Sequence, residues 1–311
     1  MFKRKLIYLS FISFFAFQVA GCREDRGISC PEDQGPIAEY SFPEDAYNFL
    51  FAGHTYGHFR IKESASAYPG LYPPLLEVLE LVNFEKIAFM IFGGDAVFKP
   101  EEWETTMEEL SFIRKPLYFV KGDHESYGES EMYHRYQPSA VFYFLCGEDL
   151  FLVLNSQKIL NTISEDQILL LESLLKKRTY RHIFIFFHRL LWVDEDHYKD
   201  EKLKHMYKDQ NNLKTLFWET VVPILEAREE PVYFFAGDTG LVPTRAFSEK
   251  KHANLRFVAS GVGSARDENF LIVRVDASGV EISPIYLAQG GTLLEQHDFL
   301  KNNTRAGSTA E

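Results

Sequence analysis

Five short apolar runs in this chain each stop at a residue able to ligate a metal or carry a proton. Residues 47–53 lead to His54, 87–94 to Asp95, 117–122 to Asp123 and His124, 182–187 to His188, and 232–237 to Asp238. The runs are continuous rather than alternating, and a turn signal closes most of them. That is the pattern of strands buried on both faces.

Helix-like segments separate several runs. In 74–84, Leu75, Leu76, Leu79 and Val82 recur at helical spacing. Segment 164–177 opens on Ser164, Glu165, Asp166 and Gln167, a capping-box order, and continues with Ile168, Leu171 and Leu175. Strand, helix, strand predicts the α/β class. In open α/β sheets, functional residues gather beyond the carboxyl ends of the strands. One Gly-Asp step alone is a common turn. Five strand ends carrying His54, Asp95, Asp123 with His124, His188 and Asp238 predict a shared site. Further strands are expected over 140–144, 150–154, 255–259 and 270–275, completing two packed sheets. No fixed-period repeat and no long linker interrupts 47–287, which is expected to be one domain.

Composition agrees. Of 311 residues, 46% are hydrophobic and 15% aromatic, with 28 Phe and 16 Tyr, which favours many strands. The balance of 33 basic against 45 acidic residues gives −12, which argues against a general nucleic-acid scaffold.

The N-terminal segment reads differently. Lys3, Arg4 and Lys5 precede an apolar run over 6–17, and Val19, Ala20, Gly21 and Cys22 follow. Basic, apolar, then small residues is the order of a secretory signal over 1–21, too short for a membrane span of roughly 20 apolar residues. The four residues ending at Cys22 resemble the lipobox of bacterial lipoproteins, which implies export, cleavage before Cys22 and lipid on its sulfur. Removing 1–21 takes away three basic residues and no acidic ones, leaving −15. Acyl chains would have to hold such a surface at a membrane. Residues 22–46, with Pro31, Asp33, Gly35 and Pro36, read as a tether. Cys30 and Cys146 either pair or stay as thiols. Residues 288–311 are polar and small and are expected to be mobile.

The strand-end residues resemble the motifs of the calcineurin-like metallophosphoesterase superfamily. Gly94-Asp95 resembles its second metal motif, Gly122-Asp123-His124-Glu125 its Gly-Asn-His-Asp/Glu motif, and His188 its lone metal histidine. Residues 151–156 and the segment around Gln167, Leu170, Leu171 and Leu174 resemble the strand and helix between them. The resemblance covers most of 48–286. It implies an α-β-β-α sandwich, two mixed sheets flanked by helices, with a two-metal site on one edge. The sequence also departs from the family. Where the first motif reads Asp-x-His, this chain has His54-Thr55-Tyr56. Asp123 stands where the family has Asn. The last motif, Gly-His-x-His, is here Gly237-Asp238-Thr239-Gly240.

By resemblance, Asp95 is the bridging carboxylate of a site that holds one or two divalent ions. One ion is expected on Asp95, Asp123, His188 and Asp238, the other on His54 and Asp95, with Tyr56 a weaker candidate ligand. Three oxygen donors suit Mn²⁺ or Mg²⁺, with Zn²⁺ and Fe also within the chemistry of the set. Three carboxylates with neutral histidines carry −3 and would repel one another. One divalent ion leaves −1, and two leave +1. His124 takes the general-acid role. Arg189, Arg245 and Arg266 are candidates for phosphate contact. His58, His134, His197, His205 and His252 match no motif, and the charge-dense stretch 194–214 is expected to be a solvated rim. Two functions follow. One is an exported, lipid-anchored hydrolase of a phosphate mono- or diester. The other is a degenerate member acting as a binding or scaffold protein in the cell envelope.

Overall fold

The apolar runs become the inner strands of two sheets. The computed structural model describes residues 39–40, 46–57, 69–126, 131–158, 162–193, 216–239, 246–262 and 267–287. All of them fall in the compact unit Gly35–Glu311. The leader, Cys22, Cys30, Gly240, Arg245, Arg266, the stretch 194–214 and the tail 288–311 lie outside the described residues, as do His58, His197 and His205.

The first sheet contains β1 (Glu39–Tyr40), β5 (Phe142–Cys146), β6 (Asp149–Val153), β7 (Ile183–Phe187), β8 (Val232–Ala236), β10 (Leu255–Ala259) and β9 (Ser248–His252), in that spatial order. The second contains β12 (Gly279–Tyr286), β11 (Asn269–Asp276), β2 (Tyr47–Ala52), β3 (Phe89–Phe92) and β4 (Leu117–Phe119). Strands β6, β7, β8 and β10 run parallel, and so do β2, β3 and β4. The other pairs are antiparallel except β1 with β5, so both sheets are mixed.

Each inner strand divides its side chains between two cores. Phe49 and Phe51 of β2 and Phe89 and Ile91 of β3 meet Phe144, Phe151, Phe184, Phe186 and Phe235 between the sheets. Their neighbours Leu50, Met90 and Phe92 face outward, under Leu75 and Leu79 of α1 (Pro73–Leu79) and Trp103 of α2 (Trp103–Glu109). On the far side, Ile183, Ile185 and Phe187 pack against Leu171, Leu174 and Leu175 of α4 (Glu165–Lys177). Phe217 of α5 (Phe217–Thr220) and Leu225 of α6 (Val222–Glu226) close the same face. Helix α3 (Glu131–Tyr136) carries Tyr133 and Tyr136 against the α2 side. The layers are helix, sheet, sheet, helix. Burial on both faces is why these strands read as unbroken apolar runs.

The inter-sheet layer is mostly aromatic. Phe151 stacks on Phe144 at 4.9 Å and on Phe184 at 4.7 Å, and the Phe49 ring meets it edge-on at 5.3 Å. Such pairs contribute about 0.5–1.5 kcal/mol each beyond area burial. Cys146 is buried in this layer.

Several elements differ from the sequence expectation. Glu39 and Tyr40, placed in the tether, form β1 beside β5. Strand β9 (Ser248–His252) carries Glu249, Lys250 and Lys251 on an exposed edge, so it has no apolar signature; charge on such an edge discourages pairing with another chain. Strand β12 tolerates Pro284 because it too is an edge. Helix α1 ends at Leu79, and residues Phe84–Lys86 form a separate turn. At α4, Ser164 is the N-cap, but Gln167 does not complete the box. Its amide instead accepts from Asn155 N at 2.7 Å and donates to Ser164 Oγ at 2.8 Å, tying the helix to the end of β6.

At the amino ends of the strands, opposite the predicted site, a buried ion cluster joins the sheets. Asp149 accepts from Tyr47 Oη at 2.6 Å, Arg181 Nε at 3.1 Å and Arg181 Nη2 at 2.5 Å, with His182 Nδ1 at 2.9 Å. Among the described residues no helix is long and apolar enough to cross a membrane.

Candidate metal centre

The carboxyl ends of β2, β3 and β4 face those of β7 and β8, and glycines let the loops touch. A Cβ on Gly53 would lie 2.2 Å from Gly237 Cα, and one on Gly237 would lie 2.3 Å from Gly93 O. Backbone bonds knit the turns together: His54 N donates to Gly94 O at 3.0 Å, Thr55 N to Asp95 O at 2.9 Å, and Asp238 N to His188 O at 2.9 Å. The crossing turns hold His54 at φ 50° and Asp95 at φ 53°. The left-handed region costs an L-residue roughly 1–2 kcal/mol, and such strain concentrates at functional sites.

His188 is the hub. It is fully buried, and its Nδ1 lies 2.9 Å from Gly93 O, which fixes the hydrogen on Nδ1. Nε2 therefore turns toward three carboxylates: Asp123 Oδ1 at 3.3 Å, Asp95 Oδ2 at 3.4 Å and Asp238 Oδ1 at 3.9 Å. Neither Nε2 nor the buried Asp238 Oδ2 makes a hydrogen bond. Burial alone would keep the ring neutral, but Asp95 and Asp238 outweigh it and hold His188 well above the ordinary histidine value. Burial likewise pushes Asp95 up, and His188 and His54 more than reverse that, leaving it below the usual carboxylate range. The three carboxylates draw positive charge to Nε2, which either a ring proton or a cation ligated by the deprotonated nitrogen supplies. Ligand atoms about 2.1 Å from one ion lie roughly 3–3.5 Å from each other, close to the spacing here. Asp95 and Asp123 have the spacing from His188 Nε2 that donors around one divalent cation would have, with Asp238 somewhat farther out. Asp123 is the most exposed of them at 17%, so the centre opens to solvent on its side.

Asp95, Asp123 and His124 form a second, overlapping group whose ligand atoms come within 4.8 Å of one another. Unlike His188 Nε2, both nitrogens of His124 are engaged: Nδ1 lies 2.9 Å from Phe98 O and Nε2 lies 3.2 Å from Tyr56 Oη. Tyr56 Oη is also 2.9 Å from His54 Nε2, and His54 Nδ1 is 2.9 Å from Val262 O. Burial lowers the His54 pKa despite nearby Asp95, which favours a neutral ring. Its hydrogen then sits on Nδ1, toward the carbonyl, and Nε2 accepts the Tyr56 hydroxyl. Burial, with Asp95 and Asp123, keeps that hydroxyl protonated. Having given its hydrogen to His54, Tyr56 Oη serves His124 as an acceptor.

Glu125 is a residue whose role the sequence reading left unassigned. Its buried carboxylate accepts from Gly122 N at 2.8 Å, Asp95 N at 3.0 Å and Ala96 N at 2.6 Å, so one side chain clamps the turns that carry Asp95 and Asp123. Burial and the Asp95 charge push it up to about 7. Asp95 Oδ1 in turn accepts from His124 N at 3.1 Å. The position of Glu125 inside the Gly-Asp-His-Glu motif was the available signal. The carbonyls of Gly93, Val262 and Phe98 leave none in a sequence. Arg189, next to His188, is buried, and its backbone N donates to Ser156 Oγ at 3.1 Å. His134 and His252 lie on exposed contacts with Pro138 and Glu226, away from the centre.

The family model for calcineurin-like phosphoesterases matches residues 47–241, a span that contains every strand-end residue of the centre. The chain belongs to the calcineurin-like phosphoesterase family. Solved structures of similar fold include purple acid phosphatase from yellow lupin (Lupinus luteus) seeds, with 11% identity and a TM-score of 0.58 over 79% of this chain and 52% of that one. The chain thus spans about half the length of that phosphatase. Vps29 from Entamoeba histolytica, complexed with Zn²⁺, has 9% identity and a TM-score of 0.33 over 77% of this chain and 99% of that one. The likeness to the lupin phosphatase concerns the fold alone. No curated protein sequence is significantly similar to the chain. This calcineurin-like phosphoesterase keeps the family's sandwich of two mixed sheets and brings Asp95, Asp123, His188 and Asp238 to one centre.

Proposed function

We propose that the protein is a metal-dependent hydrolase of a phosphate mono- or diester. The carrying observation is His188 Nε2, directed at three carboxylates without a hydrogen bond of its own. Asp95, Asp123, His188 and Asp238 would hold a divalent cation, with Mn²⁺ or Mg²⁺ suited to the oxygen-rich set. Such an ion supplies charge stabilisation to phosphoryl oxygens. The chain's own residues do the rest. Asp123 and His124, at the solvent side, define where the ester would approach. His124 Nε2 would hand a proton to the leaving oxygen, and the Phe98 carbonyl, by holding Nδ1, keeps Nε2 turned toward the site. Arg189 and Arg266 are candidates for contact with phosphate.

The test is hydrolysis of nitrophenyl phosphate mono- and diesters with and without added Mn²⁺. Metal-dependent turnover that disappears in Asp95→Asn supports the reading, and turnover unchanged by that substitution contradicts it. The replacement of the first motif by His54 and Tyr56 favours a second reading, a phosphoesterase-fold binding protein without turnover. Absence of metal-dependent activity on either ester class would select it.

The proposal includes location. Lys3 to Lys5, the apolar run 6–17 and Cys22 support export and a lipid anchor, which would hold the protein at a bacterial cell envelope. Loss of metabolic fatty-acid labelling in Cys22→Ala would support that anchor, and full labelling of the variant would refute it.

A further inference from the structure

We infer that the centre holds one divalent ion, and that Tyr56 occupies the place where a two-metal centre would bind the second. The inference rests on reading Asp95, Asp123, His188 and Asp238 as ligands of the first.

Three observations carry it. First, neither ring nitrogen of His54 is available. Nδ1 is 2.9 Å from Val262 O and Nε2 is 2.9 Å from Tyr56 Oη. Ligation through Nε2 would break the Tyr56 bond. Second, the space is filled. The Tyr56 ring centroid lies 4.4 Å from that of His54, 4.8 Å from that of His124 and 5.4 Å from that of Phe98, so the phenol is wedged between the groups that would flank an ion. Third, donors on the His54 side are few among the described residues. Near His54 Nε2 the carboxylate within reach is Asp95, at 3.8 Å. Its Oδ1 already accepts from His124 N, and its Oδ2 faces His188. Divalent ions in proteins take about four to six donors. Asp123 and His124 lie near Asp95, but both His124 nitrogens are held, by Phe98 O and Tyr56 Oη, so this side falls short of that, whereas the His188 side offers three carboxylates and an imidazole.

The consequence is a division of labour. The His188 half of the centre binds the cation. The His54 half is a hydrogen-bonded support that fixes His124 through Tyr56. His54 is then a positioning residue, not a ligand.

The experiment is metal stoichiometry with spectroscopy on the full chain in detergent. The protein is saturated with Mn²⁺, freed of excess ion and counted by elemental analysis, and the same sample is examined by electron paramagnetic resonance. One ion per chain with the resolved hyperfine pattern of an isolated Mn²⁺ is the expected result. Two ions per chain with an exchange-coupled spectrum would overturn the inference while leaving the hydrolase reading intact. No bound ion would overturn both. A second measurement uses Fe³⁺. No phenolate-to-iron absorption band is expected, and a visible band that disappears in Tyr56→Phe would show Tyr56 to be a ligand and refute its role as a support.

Discussion

His188 donates its Nδ1 hydrogen to the carbonyl oxygen of Gly93 at 2.9 Å, and this bond decides which nitrogen faces Asp95, Asp123 and Asp238. Gly93 belongs to the turn after β3, and His188 ends β7 of the other sheet. The metal-facing nitrogen is thus set by a contact between sheets, the outer hydrogen bond that commonly orients a ligating histidine.

Removing one carboxylate from this centre should weaken metal binding more than any change outside it. Asp95→Asn is expected to lower Mn²⁺ affinity by more than about 100-fold, the upper end of what outer partners contribute. Calorimetric titration measures it. An affinity within a few-fold of the unsubstituted protein would remove Asp95 from the ligand set.

Glu125→Gln places an amide donor against backbone N–H groups that now meet carboxylate oxygens. The turns bearing Asp95 and Asp123 should lose their register. Mn²⁺ affinity is expected to fall about 10–100-fold although no ligand has changed. The same titration, paired with a thermal melt, checks this; unaltered affinity would show that the clamp does not position the ligands.

Much of this arrangement was legible in the sequence, for a definite reason. Strands β2, β3, β7 and β8 are buried on both faces, so their apolar runs stand out and their ends mark the site. The charged edge strand β9 lacks that signature, because edge exposure favours Lys250 and Lys251 over apolar residues. Tyr56 was readable as a departure from a metal motif. Its bond to His124, 68 residues away in sequence, depends on how the loops cross. The capping-box order at Ser164 was present, yet Gln167 serves Asn155 instead, since a tertiary partner offered it two hydrogen bonds.

The aromatic layer makes its own prediction. Phe151 contacts Phe144, Phe184 and Phe49 and is fully buried. Phe151→Ala should destabilise the fold by about 3–5 kcal/mol. Urea unfolding with and without Mn²⁺ should show the same loss in both, since the ring lies in the core and not at the centre. A loss below about 1 kcal/mol would mean that the layer rearranges to fill the cavity.

Asp149 predicts an acid-sensitive component of stability. Burial raises its pKa, but hydrogen bonds from His182, Arg181 and Tyr47 outweigh that and hold it below the ordinary value. The unfolded chain therefore binds this proton more readily than the folded one. The stabilisation is fully present above the unfolded value of about 3.9 and is lost as pH falls through the lower folded value. Asp149→Asn should cost about 3 kcal/mol at neutral pH by leaving Arg181 without its carboxylate. Denaturation curves from pH 7 downward should converge for the two proteins in acid. A constant difference across the range would contradict the assignment.

The central claim is that a divalent cation sits among Asp95, Asp123, His188 and Asp238. Crystals grown with Zn²⁺ or Mn²⁺, measured at the absorption edge of the metal, test it most directly. One anomalous peak is expected about 2.0–2.3 Å from His188 Nε2 and from carboxylate oxygens of the three aspartates. A peak centred instead between His54 and His124, or no peak at saturating metal, would contradict it.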